Sequence, residues 1–416
     1  MKVLLNLSLL ITLVLASDHD ASHEVKKDHK DDHEVEQIKK SVEQIAPANM
    51  EFSIDLYKHV ASSLEKSSPS NIFFSPLSIS TAFAMLSLGA KSKTHKQILE
   101  SLKLNQTTIS EEEIYKAFGH LIRTLNKNKS HLKVNIGNAV FVQESLNLVK
   151  SFVDDLKHHY NAELRVSDFT KPKIAEQQIN DYVKNKTEGK IDQLLKDLDP
   201  NTQLVLLNYI LFKGEWVHTF NPESTHLGNF IVDDNTTVHV PMMSRSGRYK
   251  IFQDEEHSCV VVQLPYKDNA YMLLVIPQLG KIHDIEKALS VEKITKWTNS
   301  TVYRTMRLYL PKFSISASLN LNDILSGMGM KNVFSASADL SGITEGGGLK
   351  VSKAIHKAVL DVNEKGTEAA AATAIEMTRL ASFESERVDR PFLLLICNQD
   401  TNSILFMGRV VDPTEK

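Results

Sequence analysis

The chain has 416 residues, of which 42% are hydrophobic and 24% charged, and carries a net charge of -3. That composition is ordinary for a globular protein and ample for a large core, and it predicts no general attraction to nucleic acid or to anionic membrane. Two cysteines in such a length exclude a disulfide framework, so the fold must rest on its core.

The first residues, MKVLLNLSLLITLVLA, combine a basic start at Lys2, an apolar run and small residues near the end. They read as a secretory signal peptide over residues 1–16, cleaved after Ala16, too short and wrongly flanked for a membrane anchor. The mature protein is therefore expected to be secreted. Export gives meaning to five N-x-S/T sequons, at Asn105, Asn128, Asn185, Asn235 and Asn299, which are expected to be exposed and glycosylated in part. Cys259 and Cys397 are read as free thiols rather than a bridge. Residues 17–47 open with SDHDASHEVKKDHKDDHEVE, a charged tail with almost no apolar residue, and disorder is the expectation there. Its four histidines offer no H-E-x-x-H motif, and no metal site is expected.

From residue 48 onward the pattern is continuous and mixed. NMEFSIDLYKHVASSLEK reads as an amphipathic helix, and STAFAMLSLGA as a buried one, apolar on nearly every face. KSFVDDLKHHYN and IAEQQINDYVKNKT also read as helices. HLKVNIGNAVFVQ, TQLVLLNYILFKGEW, SCVVVQLPY, AYMLLVIPQ, TMRLYLPKFSI and RPFLLLICN read as strands, rich in β-branched and aromatic residues and bounded by turn formers. No composition break or internal repeat divides this stretch, so a single α+β domain over residues 48–416 is expected. Catalytic signatures are missing. There is no G-x-S-x-G, no H-E-x-x-H and no phosphate-cradling glycine loop in register, so no catalytic residue, metal or cofactor is assigned. Lys93, Lys96 and Lys103, with Lys293 and Lys296, are diluted by acidic neighbours and read as a solvated face rather than a heparin site.

One stretch stands apart, EKGTEAAAATAIEMTRLASFESE from Glu364 to Glu386. Alanine propensity favours a helix over Glu368–Ala374. Alternation favours a strand: Thr367, Ala369, Ala371, Thr373, Ile375 and Met377 are uncharged, while both acids, Glu368 and Glu376, fall in the other set. The two readings stand about level on the residues alone.

The segment NEKGTEAAAATA resembles the hinge of the inhibitory serpins, suicide inhibitors of serine proteases. The likeness extends from about Phe52 to Pro413 through NIFFSPLSISTAFAMLSLGA, LNYILFKGEW, VPMM, LPKFSI, DLSGIT, LKVSKAIHKAVLDVNEKGTEAAAATA, RPFLLLI and ILFMGRVVDP, in that order. Within the family it is similar to the plasma (clade A) group. The resemblance implies an α+β serpin fold, a single domain with three β-sheets, about nine helices and an exposed reactive-centre loop over about 364–390. It implies that a protease cleaves the loop, forms an acyl-enzyme ester, and is trapped when the loop inserts as a new strand. Hinge roles pass to Glu364, Gly366, Thr367, Ala369, Ala371 and Thr373. Counted fourteen residues on from Gly366 and eleven back from Pro391, the bait residue is Leu380 in both directions, with the bond Leu380–Ala381. Met377, Thr378, Arg379 and Ser382 flank it. Leucine suits chymotrypsin-like proteases, elastases being possible; a shift to Arg379 would recruit trypsin-like ones. The family's shutter, where the sheet parts, matches Ser75, Ser78, Asn208 and His356. Its breach, at the top of the sheet, matches Trp216, and a Lys–Glu pair near the hinge matches Lys312 and Glu364. A plasma monomer is expected, with a non-inhibitory hormone carrier or complex subunit as the rival reading.

Overall fold

The computed structural model describes residues 17–64, 70–127, 129–160, 162–367 and 384–415, with side chains described from Glu34 onward. Nine α-helices form among these residues. They are α1 (Ser17–Leu64), α2 (Pro76–Ser87), α3 (Ser92–Ser101), α4 (Glu111–Leu125), α5 (Lys150–Tyr160), α6 (Pro172–Lys186), α7 (Ile282–Ala288), α8 (Val291–Asn299) and α9 (Leu321–Gly327). The strands are β1 (Ile72–Phe74), β2 (Leu132–Gln143), β3 (Glu163–Ser167), β4 (Leu204–Glu215), β5 (His226–Ile231), β6 (Thr237–Asp254), β7 (Cys259–Tyr266) and β8 (Ala270–Pro277). They continue with β9 (Val302–Pro311), β10 (Phe313–Asn320), β11 (Lys353–Val362), β12 (Gly366–Thr367), β13 (Glu384–Arg387), β14 (Phe392–Asn398) and β15 (Ser403–Val410). No helix among the described residues is long and apolar enough to cross a membrane.

Two hydrogen-bonded sheets result. One has the order β10-β11-β4-β2-β3, with β12 added against β4. The other runs β1-β15-β14-β8-β7-β6-β9-β13, with β5 on β6. β6 explains how three expected sheets become two ladders. Its 18 residues pair first with β5, then with β9, and finally with β7, so one strand serves two sheets.

Local chemistry starts the elements that matter. Every residue of α2 is buried, which accounts for its lack of a polar face; Pro76 begins it and the Ser75 hydroxyl caps it. α4 opens on a capping box between Ser110 and Glu113. α6 covers one face of the smaller sheet, burying Ile179, Tyr182 and Val183 against Phe141, Val205, Leu207 and Ile355. α2 packs on the opposite face, against β4.

Two expectations are corrected. The tail over residues 17–47 is helical, because α1 runs unbroken from Ser17 to Leu64 and passes through Pro47. Its low hydrophobicity hid the helix formers it does carry, chiefly Lys and Glu. The packed body begins earlier than residue 48, since Val42 and Ile45 are buried and Gln37 donates to Glu113. The segment TMRLYLPKFSI is two strands, not one: β9 ends at Pro311 and β10 begins after Lys312, in different sheets. Both cysteines are buried and free, as expected. Cys259 stands opposite Pro277 on β8 and Cys397 opposite Tyr271. That spacing along one strand is roughly 20 Å, far beyond the ~7 Å limit for a bridge.

Candidate functional site

The central strands of the smaller sheet, β4 and β11, run parallel, Val205–Leu211 beside Lys353–Val359. Beyond Leu211, β4 has no partner from β11, and a slot opens. The chain enters it by a tight turn. Asn363 and Gly366 exchange backbone hydrogen bonds at 2.8 and 3.1 Å, and β12 then returns antiparallel to β4, Gly366 opposite Glu215 and Thr367 opposite Gly214. Gly366 has φ +142°, and a Cβ there would fall 2.0 Å from the Gly214 carbonyl oxygen, so only glycine fits. Thr367 is 1% exposed, with its hydroxyl 3.0 Å from that of Tyr266. The first odd-numbered residue of the alternation therefore faces the core. Ala369, Ala371, Thr373, Met377, Thr378, Arg379, Leu380, Ala381 and Ser382 lie outside the described residues. The chain is described again at β13, which pairs parallel with β9 through Met306–Tyr309.

Trp216 anchors the turn. Its ring stacks on Tyr266 at 4.2 Å between centroids, its Nε1 donates to the Asn363 carbonyl at 3.0 Å, and its backbone amide donates to Lys365 at 2.9 Å. Glu364, within the turn, accepts from Lys312 Nζ at 3.1 Å and from the Thr225 hydroxyl at 2.9 Å. Burial pushes its carboxyl up, but its own amide, Lys312 and Thr225 outweigh that and hold it below the usual range. The pair is not a plain surface contact, since Glu364 is buried while Lys312 is half exposed.

Below the slot lies a buried polar row. Asn138, Asn208 and His356 occupy one register across β2, β4 and β11. His356 Nε2 accepts from the Ser75 amide at 3.0 Å, which leaves the proton on Nδ1, donated to Asn208 Oδ1 at 2.5 Å. Asn208 Nδ2 reaches Ser78 Oγ at 2.6 Å, Ser78 O at 3.0 Å and Asn138 Oδ1 at 2.6 Å. The structure thus gathers all four predicted shutter residues around one helix start. Asn138 was missed by the sequence reading; its only signal is its place opposite Asn208. Burial holds His356 neutral, its pKa pushed down to about 3. The His356–Asn208 bond joins β11 to β4, so it must break if those strands part.

Four sequon residues, Asn105, Asn185, Asn235 and Asn299, are exposed; Asn128 lies outside the described residues. Lys103 pairs with Glu51 and Asp55, Lys96 with Glu100, and Lys293 and Lys296 with Glu256. Asp254, Glu256 and His257 converge at ligand distance among the described residues, but Asp254 already accepts from Trp297 Nε1 at 2.8 Å and lies 3.7 Å from Lys293. The protein satisfies that charge itself.

Residues 47–413 match the family model described as serpin, serine protease inhibitor. The chain is 46% identical to Serpin A3-3 of Bos taurus over 372 residues, covering 89% of this chain and 90% of that protein. It is 46% identical to alpha-1-antichymotrypsin of Homo sapiens over 377 residues, covering 89% and 88%. The solved structure of human thyroxine-binding globulin complexed with thyroxine matches with a TM-score of 0.86 at 42% identity, covering 90% of this chain and 100% of that one.

Proposed function

The chain belongs to the serpin family, and from that premise we propose that it is a secreted plasma inhibitor of serine proteases that acts as a suicide substrate. The bait bond is Leu380–Ala381. The protease serine attacks the Leu380 carbonyl, the Ala381 amine leaves, and the ester ties the enzyme to residue 380. The freed segment then continues the strand that β12 begins, parting β4 from β11 and carrying the enzyme with it. Leu380 suits a chymotrypsin-like protease first, with a trypsin-like one through Arg379 as the alternative register. The chain itself has no catalytic role, acts as a monomer and needs no cofactor.

One observation carries this reading: Gly366 and Thr367 already form two rungs of an antiparallel strand at the mouth of a slot walled by parallel strands. A parallel pair leaves room for an antiparallel strand bonded on both sides, with about a dozen backbone hydrogen bonds to gain at roughly 1 kcal/mol each. The test is incubation with chymotrypsin, elastase and trypsin, a denaturing gel, and mass spectrometry of the released peptide. A stable covalent complex and a peptide beginning at Ala381 are expected. A peptide beginning at Leu380 moves the bait to Arg379, and cleavage without any complex overturns inhibition.

A second reading, a carrier of a small hormone, is favoured by the likeness to thyroxine-binding globulin in complex with thyroxine. Equilibrium binding of thyroxine, with and without prior cleavage of the loop, tests it.

A further inference from the structure

α1 changes the meaning of the histidines in its first turns. Spacing along a disordered tail places nothing together, whereas spacing along a helix does. Within SDHDASHEVKKDHKDDHEVE, which α1 carries from Ser17 onward, His19 and His23 stand four residues apart, and so do His29 and His33. Four residues of helix rise about 6 Å and turn about 40°, so the members of each pair lie one above the other on one face. Two histidines at that spacing are the chelating part of the H-E-x-x-H motif, whose glutamate is a base and not a ligand. The missing glutamate removes hydrolysis from the reading and leaves metal binding in it.

Carboxylates stand in the same stripes. Glu36 follows His33 by three residues and Asp20 precedes His23 by three, a spacing at which helical residues are neighbours. At about 100° per residue, His29, His33 and Glu36 fall within about 60° of one another. Ser41, Val42 and Ile45, the buried residues that seat α1 on the body, centre more than about 120° round from that stripe. Glu36 is exposed and has no ion-pair partner among the described residues. Residues 17–36 hold eight acids against three lysines, a field that attracts divalent cations. The centres of the two histidine pairs are about 15 Å apart along the axis, too far for one ion with bonds of about 2 Å to serve both.

We propose that the N-terminal arm of α1 binds two zinc ions, one at His19 and His23 and one at His29 and His33, each site closed by a carboxylate of its own stripe, Asp20 and Glu36 respectively. Paired imidazole with a single carboxylate suits zinc and disfavours magnesium and calcium, which take oxygen ligands. The ligands of each site come together only while the backbone is helical, so each ion stabilises helix over coil. Most helices in proteins draw their stability from an apolar face packed on a core. This arm has almost no apolar residue before Ile38 apart from Ala21, Val25 and Val35, and the ions supply the missing support. They take no part in the inhibitor reading.

The probe is zinc chloride alone, titrated calorimetrically into the full chain, with magnesium chloride as the comparator. Two zinc ions per chain are expected, bound at least about a hundredfold more tightly than magnesium. Asp31→His combined with His33→Asp keeps composition and charge but sets the second pair two residues apart, on different faces; it should lose one ion. His19→Gln combined with His29→Gln should lose both. All these positions precede the packed body, so its melting temperature should not move. With free zinc tenfold above Kd, amide exchange over residues 24–36 should slow about tenfold in the wild type and not in the His19→Gln, His29→Gln variant. No protease enters either measurement, so failure of the inhibitor reading leaves both interpretable. Zinc bound no more tightly than magnesium, two ions retained after the exchange of residues 31 and 33, or binding without slowed exchange would each overturn the proposal. Zinc retained by the His19→Gln, His29→Gln variant would also overturn it, placing the metal at Asp254, Glu256 and His257 instead.

Discussion

Thr367 is where the proposed hinge meets the core. Its hydroxyl faces Tyr266 in a site that is 1% exposed and has no room for a longer side chain. Thr367→Arg should be unable to seat, because an arginine there would bury a charge with no partner. The expected outcome is substrate behaviour: a rise of at least tenfold in the inhibitor consumed per protease inactivated, read by titration. Thr367→Val keeps the shape and removes the hydroxyl, and should lower stability by about 1 kcal/mol with inhibition retained. His356 sets a pH dependence. Its folded pKa of about 3 lies below the ordinary 6.5, so the unfolded chain holds more protons between those values. Stability from this group is complete above pH 6.5 and falls as pH drops through that window. Urea midpoints measured from pH 7 to pH 4 should decline more steeply in the wild type than in His356→Leu. At this scale Ser75, Ser78, Asn208 and His356 were legible through the family resemblance, whereas Asn138 was not. An asparagine on a strand carries no signal until the strand opposite it is known.

At the scale of elements, the turn and β12 define what the proposed insertion would extend. Thr367 faces the core, and in the proposed inserted strand a period of two would send Ala369, Ala371 and Thr373 the same way. Ala369→Pro would remove a ladder donor and fix φ two residues below the last rung. It should leave the uncleaved protein's melting temperature within a few degrees and convert it to a substrate, with no covalent band on a denaturing gel. β2, β4, β7, β8 and β14 were readable because their apolar runs are long and cleanly bounded. β6 was not, because it changes partners along its length and so changes which face is buried. α1 was misread before Gln37 because a polar helix lacks the apolar periodicity on which helices are recognised. The split at Lys312 was invisible because the change of sheet leaves no mark in composition.

Across the whole molecule, the proposed mechanism requires the uncleaved state to hold back a strand that its own sheet could accept, which would make its persistence kinetic. Cleavage near residue 380 should raise the melting temperature by roughly 20 °C, on the estimate of about a dozen new hydrogen bonds. Calorimetry before and after clipping measures this, and an unchanged transition would remove the basis of the inhibitory mechanism. The two sulfur atoms offer a way to watch such events separately. Burial pushes the thiols of Cys259 and Cys397 up to about 12, with Asp254 adding to the effect at Cys259. They sit on β7 and β14, in the sheet that the proposed insertion would not enter. An alkylating reagent should therefore stay silent while the hinge strand lengthens and respond only when the opposite half of the fold comes apart. The native chain thus carries an unlabelled gauge that tells rearrangement from denaturation.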